Sequence, residues 1–380
     1  MNTYVTRRQA LASCAIACLP FLSGCSQLGS AAPSWSASPD VDELDLAYAE
    51  CFSIEEREGG YVLLTVGDAD RYLVVPEGKD APTGISEDIV VLQAPLDCIY
   101  LAATATMDFM SAIGAVGSVR LSGAEEESWY IDDARQAMAN GEMQYAGKYN
   151  APDYELLLGS GCDLAVESTM IFHCPEVKEK LEALGIPVLT DYSSYESSPL
   201  GRMEWVKFYG ALTGRTEEAN RVFDEVLERV TPVLDLPASG RTVAFFYITT
   251  TGTVNVRKPG DYIATVIEMA GGSYVPVGLD PGDNALATLN MDLESFTAGA
   301  RDADVLIYNS TIDAELTTID QLIDKAPVLA EFTAVRSGEV WCCGKNMYQQ
   351  SMGLGDLIVD VNAVLSGAAG SELSYLYRLE

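Results

Sequence analysis

The chain has 380 residues, long enough for two compact domains. Its formal net charge is −33, which argues against nucleic acid as a partner and opposes adsorption to anionic lipid head groups. Beyond the N-terminal segment no apolar run reaches the length of a transmembrane span.

Residues 1–24 read as an export signal. Arg7 and Arg8 form a charged start, an apolar stretch runs from Ala10 to Leu22, and Leu22-Ser23-Gly24-Cys25 closes it. The segment resembles a bacterial lipoprotein signal, in which cleavage precedes a cysteine that carries the lipid. That resemblance implies lipidation of Cys25 and an anchor on the outer face of the cytoplasmic membrane. The alternative is a plain secretory signal with an incidental cysteine. Thr6-Arg7-Arg8-Gln9-Ala10-Leu11 also resembles a twin-arginine export signal. Residues 25–43, rich in Ser, Ala and Pro, read as a flexible tether.

A first lobe spans residues 44–215. Tyr61–Val66, Tyr72–Val75, Ile89–Leu92 and Cys98–Ala102 read as short strands, and Met107–Ile113 and Ile131–Ala139 as helices. A short helix over Asp153–Leu158 follows Pro152, then a buried strand over Asp163–Val166. Pro175–Leu184 is a helix closed by Gly185, Ile186–Leu189 the next strand, and Met203–Leu212 another helix.

Thr216–Val233 carries apolar residues at Ala219, Val222, Phe223, Val226, Leu227 and Val230, the spacing of one helical face. Thr216 is placed to cap it. Glu217–Arg221 and Glu225–Arg229 are favoured i,i+4 pairs, and Pro232 discourages continuation. Residues 216–233 are thus expected to form a rigid helix between lobes.

The alternation resumes over 234–380. Strands are expected at Thr242–Ile248, Thr253–Val256, Val305–Tyr308 and Val340–Cys342. Helices are expected at Asp261–Ala270, Leu293–Ala298, Ile319–Asp324 and, closing the chain, Leu357–Leu365. The fold class is therefore α/β: two lobes, each a mainly parallel sheet flanked by helices, joined by one long helix.

An internal repeat relates the lobes. Glu155, a short helix, the Asp163-led strand and Ser168-Thr169 match Glu294, a short helix, the Asp304-led strand and Ser310-Thr311. Loops at the carboxyl ends of parallel strands are where open α/β sheets bind ligands. The cleft candidates follow from those loops. In the first lobe they are Thr104, Thr106, Lys148, Tyr149, Thr169, Met170, His173 and Tyr192. In the second they are Thr251, Arg257, Lys258, Tyr262, Asn309, Thr311 and Tyr348. Polar donors, aromatic walls and cations suit a bulky, partly anionic chelate.

The chain from Leu44 to Leu365 resembles the periplasmic-binding-protein family that delivers iron–siderophore complexes, haem or cobalamin to ABC importers. The stretches carrying the resemblance are 147–155, 167–173, 195–205, 247–262 and 303–311. It implies two lobes joined by a rigid helix, ligand held between them, and a partner ABC permease dimer. It also implies that Glu155 and Glu294, one per lobe, dock the protein on permease arginines, with Asp292 as the fallback in the second lobe. An iron chelate is the first choice of ligand; haem or a corrinoid is the alternative.

Nothing points to catalysis. There is no CxxC pair, no Gly-x-Ser-x-Gly and a single histidine, His173, so a His-rich metal site of the usual kind cannot be built. No resident cofactor or metal is expected, and an exported redox enzyme is the competing class. His173 reads either as an axial ligand to haem or as a structural histidine. Glu196 and Glu204 flank a Pro-Leu-Gly turn and read as structural. Cys51, Cys98, Cys162, Cys174, Cys342 and Cys343 remain after the signal and Cys25, and their pairing is open.

Overall fold

The structure is a computed structural model, and it describes residues 35, 41–67, 69–279, 288–370 and 373–380. The export signal and Cys25 lie outside the described residues.

The chain opens with a five-stranded sheet in sequence order: β1 (Val41–Glu43), β2 (Phe52–Arg57), β3 (Tyr61–Val66), β4 (Asp70–Val75) and β5 (Ile89–Gln93). The period-2 alternation of strands divides its side chains between two faces. Phe52, Ile54, Leu64 and Val66 face the main core; Tyr61, Leu63, Leu73 and Val75 face outward. Trp35 covers the outer face, its ring 4.0 Å below the Arg57 guanidinium and its N–H bonded to the Thr83 carbonyl. The stretch expected to be a free tether is thus laid on the sheet at Trp35 and paired with β2 from Val41 onward.

The first lobe's parallel sheet has the order β12-β11-β6-β7-β8. Its strands are β6 (Ile99–Leu101), β7 (Val119–Ser122), β8 (Gln144–Tyr145), β11 (Leu164–Ser168) and β12 (Val188–Asp191). A small ladder, β9 (Gly147–Lys148) with β10 (Ala151–Pro152), stands beside it. Helices α1 (Thr106–Ala112), α2 (Asp132–Ala139), α3 (Tyr154–Gly159) and α4 (Pro175–Ala183) connect these strands.

Next come α5 (Pro199–Thr213) and α6 (Thr216–Leu234), then the second lobe. Its sheet holds β13 (Thr242–Ile248), β14 (Val254–Arg257), β15 (Ser273–Val275), β16 (Thr288–Met291), β17 (Val305–Asn309), β18 (Val340–Cys343) and β19 (Leu376–Arg378). β15, β13, β17 and β18 run parallel; β14 and β19 run against them, and β16, antiparallel to β14, runs in their direction again. Its helices are α7 (Tyr262–Met269), α8 (Leu293–Ala300), α9 (Ile319–Lys325), α10 (Thr333–Ser337) and α11 (Leu354–Ser366).

The long helix α6 forms where the apolar spacing placed it, burying Ala219, Phe223, Val226 and Val230. It is the long helix expected between the lobes, and it has company. It folds back on α5 as a hairpin and packs on α11, so three helices form the hinge layer. Arg215, not Thr216, occupies its cap position, and Pro232 lies inside the helix near its end. The ion pairs differ as well. Arg221 engages Glu218 and Glu225, while Arg229 reaches Asp356 of α11 at 3.1 Å. The hairpin is tight: a Cβ on Gly210 would stand 2.4 Å from that of Ala219.

α5 begins at Pro199, four residues earlier than expected, with the Ser198 hydroxyl accepting from the Gly201 N–H. It is buried almost all round, as a helix between two layers must be. Glu204 accepts the N–H groups of Ala47, Tyr48 and Ala49. Glu196, just before α5, accepts those of Glu50 and Cys51 and the Trp205 indole. These two carboxylates staple the N-terminal sheet to the hinge, the structural role read from the sequence.

Candidate ligand cleft

The repeat seen in the sequence has a geometric counterpart. Asp163, just before β11, accepts the N–H groups of Asp97 and Cys98 at 3.0 and 2.9 Å, at the foot of β6. Asp304, just before β17, accepts the N–H and hydroxyl of Thr242 at 2.8 and 2.9 Å, at the foot of β13. Each acid pins a central strand to its parallel neighbour at the strands' amino ends. At the carboxyl ends Ser168-Thr169 and Ser310-Thr311 leave the sheets. Ser168 caps the following turn at Met170, and Asn309 Oδ1 accepts the N–H and hydroxyl of Thr311 at 3.1 and 2.6 Å.

In the first lobe the strand-end loops enclose a cavity of about 350 Å³ lined by Thr104, Lys148, Tyr149, Ser168, Met170 and Glu125, among others. The β9–β10 ladder presents Lys148 and Tyr149. It needs glycine at 147, where φ is +86° and a Cβ would lie 2.4 Å from the Ala151 carbonyl. Tyr100 Oη donates to that glycine's carbonyl at 2.9 Å and fixes the ladder from below. Beside the loops Phe172, Tyr192 and Tyr195 form an aromatic group, with centroid spacings of 6.0 and 5.4 Å. Met170, Phe172 and Tyr195 are exposed, and so is His173. Thr169 is half-buried between Ser168 and Met170.

Thr106 is different. It is fully buried, and its hydroxyl donates to Asp191 at 3.1 Å and contacts Tyr209 Oη at 3.3 Å. It belongs to the core beneath the cleft, not to its wall.

In the second lobe a cavity of about 400 Å³ is lined by Tyr247, Thr249, Thr250, Ile312, Asp313 and Lys325, among others. None of these was among the cleft candidates. Burial pushes Asp313 upward, but hydrogen bonds from Lys325 and Tyr308 outweigh that and leave its carboxyl below its ordinary value. Thr251 is exposed beside this cavity and shares hydroxyl contacts with Thr249 at 2.9 Å.

The cations expected to hold an anion are arranged otherwise. Arg257 is largely enclosed, its Nη1 3.4 Å from Asp261, which is completely buried. Burial raises the Asp261 carboxyl above its ordinary range against the pull of Arg257. Tyr262 has the Arg202 guanidinium over its ring at 3.7 Å. Lys258 is half-buried in the turn before α7. Arg257 and Tyr262 thus form part of a packed polar block with Arg202. Asn309 is buried with its carbonyl engaged by Thr311, whereas Tyr348 is exposed and meets Tyr130 of the first lobe edge to face at 5.9 Å.

No family profile matches the chain. An uncharacterized lipoprotein of Methanocaldococcus jannaschii is 26% identical over 318 residues, covering 78% of this chain and 73% of that protein. Solved structures match over nearly their whole length. A periplasmic haem-binding protein of Vibrio cholerae superposes with a TM-score of 0.57 at 15% identity, covering 72% of this chain and 99% of that one. An Fe3+-hydroxamate transport protein of Saccharomonospora viridis gives 0.53 at 21% identity, covering 72% and 94%. A vitamin B12 binding protein of Vibrio cholerae gives 0.51 at 17%, covering 72% and 98%. The chain has the fold of the periplasmic binding proteins.

Of the cleft candidates, the structure brings Thr104, Lys148, Tyr149 and Met170 together at one cavity. Ser168, Phe172, Tyr195 and Tyr130, which lie on or near these loops, were not among the cleft candidates. An exposed aromatic in a loop that leaves a buried strand was the available signal for Phe172. The docking candidates Glu155 and Glu294 are both exposed in the first turns of α3 and α8. Asp292 serves as the cap of α8, accepting the Ser295 N–H at 2.7 Å.

Proposed function

We propose that this protein is the substrate-binding lipoprotein of an ABC importer, held outside the cytoplasm by lipid on Cys25. It takes an iron–siderophore or similar metal chelate between its lobes and delivers it to a permease dimer. The observation that carries this reading is the first-lobe cavity. Hydroxyls, Lys148, the Tyr149 ring, the Met170 thioether and one carboxylate, Glu125, line it, and Phe172, Tyr192 and Tyr195 form an aromatic group on the loops that follow β11 and β12. Flat, conjugated or aryl-bearing chelates bury apolar surface on such rings while hydroxyl and ammonium donors meet their oxygens. Haem and vitamin B12, named for two of the solved structures of this fold, carry such flat conjugated rings, and the Fe3+-hydroxamate named for a third offers metal-bound oxygens to the same donors.

Haem is the second reading, favoured by His173, which is exposed next to Phe172 on the loop that follows β11. Absorption spectroscopy and mass spectrometry of material co-purified with the protein separate the two. A ferric chelate gives a charge-transfer band and a siderophore mass. Haem gives a Soret band that His173→Ala shifts. Protein that repeatedly purifies without any bound chelate, and that takes up neither ferric siderophores nor haemin, defeats the proposal.

Glu155 and Glu294 are the docking carboxylates of this reading. Two equal charges on two related lobes fix orientation on a two-fold symmetric partner. Transport by Glu155→Ala and Glu294→Ala proteins with intact ligand binding is expected to be lost. An acyl chain on Cys25, read by mass spectrometry of the membrane fraction, tests the anchor.

A further inference from the structure

The lobes touch through the segment that leads into α11 as well as through the hinge helices themselves. Gln349 follows β18 in the second lobe and is 1% exposed. Its side-chain carbonyl accepts the Tyr130 N–H at 2.7 Å, and its amide nitrogen donates to the Ser128 carbonyl at 2.8 Å, both in the first lobe. The same nitrogen reaches Tyr348 Oη at 3.0 Å, and Tyr348 packs on Tyr130. Three residues later the Met352 N–H donates to Asp108 of α1 at 2.7 Å, and the Ser351 hydroxyl donates to the Ala105 carbonyl at 3.2 Å. One short segment, 349–352, therefore makes four polar contacts to two separate parts of the opposite lobe.

A primary amide is suited to this. It offers an acceptor and two donors in one plane, so it reads a backbone N–H and a backbone carbonyl like a strand neighbour. Because Gln349 is buried, breaking either bond without water entry leaves an unsatisfied polar group. Lobe separation must then break these contacts together and admit water as it does so.

We infer that Gln349 is a positioning residue, the centre of a clasp that holds the two lobes at one spacing before any ligand arrives. It also fixes the Ser128–Tyr130 rim of the first-lobe cavity, since Ser128 is one of that cavity's lining residues. The inference rests on the two-lobed fold and these contacts, and is independent of which ligand the cleft takes.

Amide hydrogen exchange on the protein without added ligand tests it. The Tyr130 amide reports the Gln349 contact, and the Met352 amide reports the Asp108 contact. In Gln349→Ala both are expected to exchange at least about tenfold faster, while amides of β17 keep their protection. The reciprocal variant, Asp108→Ala, is expected to deprotect Tyr130, which Asp108 does not touch. Acceleration at Tyr130 alone makes Gln349 a local surface bond and overturns the clasp, as does unchanged exchange at both amides. If Gln349→Ala loses protection in β17 too, Gln349→Glu decides. It keeps the acceptor for Tyr130 and lacks the donor to Ser128. Faster exchange at Met352 then supports the clasp and unchanged exchange refutes it.

Discussion

Buried glutamates occur in two regions of this molecule under opposite conditions. At the hinge, Glu204 is completely buried and accepts three successive backbone N–H groups at 2.8 to 3.0 Å, with Lys207 at 2.8 Å beside it. At the end of β11, Glu167 is equally buried, yet neither carboxylate oxygen has a hydrogen-bond partner in the protein. Thr190, its register partner on β12, has an unpartnered hydroxyl as well. Burial alone therefore says little about what an acid contributes. A carboxylate ringed by donors can remain charged and bind chain segments together. One without donors is neutralised instead, and burial pushes Glu167 up to about 8.

The comparison is broken most directly at the hinge. Glu204→Ala leaves three backbone N–H groups and Lys207 without their acceptor. We expect a loss of about 3–5 kcal/mol in denaturant unfolding, the range for breaking a buried charged network. A loss below about 1 kcal/mol would mean that water replaces the carboxylate and that the staple is not structural. Gly210→Ala tests the same block by packing alone. The added methyl meets Ala219 of α6, and overpacking of this kind costs about 1–3 kcal/mol.

Glu167 sharpens the other side through pH. Its folded value lies above the ordinary 4.5, so between the two the native state holds a proton that the unfolded chain has released. Raising the pH in that window therefore favours unfolding. Stability from this group is whole below about 4.5 and falls by up to about 1.4 kcal/mol per pH unit toward 8. Asp108, pushed up to about 6 by burial, has the same sign over a narrower window. Stability curves for wild-type and Glu167→Gln proteins between these limits are expected to diverge, with the variant flatter. Parallel curves would show that Glu167 is charged and partnered in solution.

Hydrophobic period and strand–helix alternation made the architecture legible, because both lobes bury continuous apolar strands between helices. The first-lobe cavity was legible for the same reason: Thr104, Lys148, Tyr149 and Met170 all follow strand ends. What sequence could not convey was pairing over long separations. Nothing local shows that Glu204 holds Ala47, that Arg257 meets Asp261 inside a packed block, or that Thr106 points into the core at Asp191. A strand-exit position has two faces, and one residue of offset decides between cleft and core. The packing of the hinge was hidden for a related reason. The periodicity of α6 shows that one face is buried but not against what, and the answer is α5 and α11.

The smallest expected effect separates local helix chemistry from surface function. Asp153 caps α3 by accepting the Leu156 N–H at 3.0 Å, and Asp292 caps α8 in the same way. Glu155 and Glu294 stand two residues further on, exposed, in helices that already have their caps. Removing a cap costs about 0.5–2 kcal/mol, whereas an exposed first-turn acid contributes about 0.3–1 kcal/mol through the helix dipole, screened by salt. Asp153→Ala should therefore lower stability measurably, and Glu155→Ala should lower it less and not at all in high salt. The same ordering should hold for Asp292→Ala against Glu294→Ala. If the glutamates prove as costly to remove as the aspartates, they serve their own helices and their matched positions need no partner to explain them. If they are nearly silent in the isolated protein, two exposed carboxylates repeated on two lobes are free to meet arginines of something else.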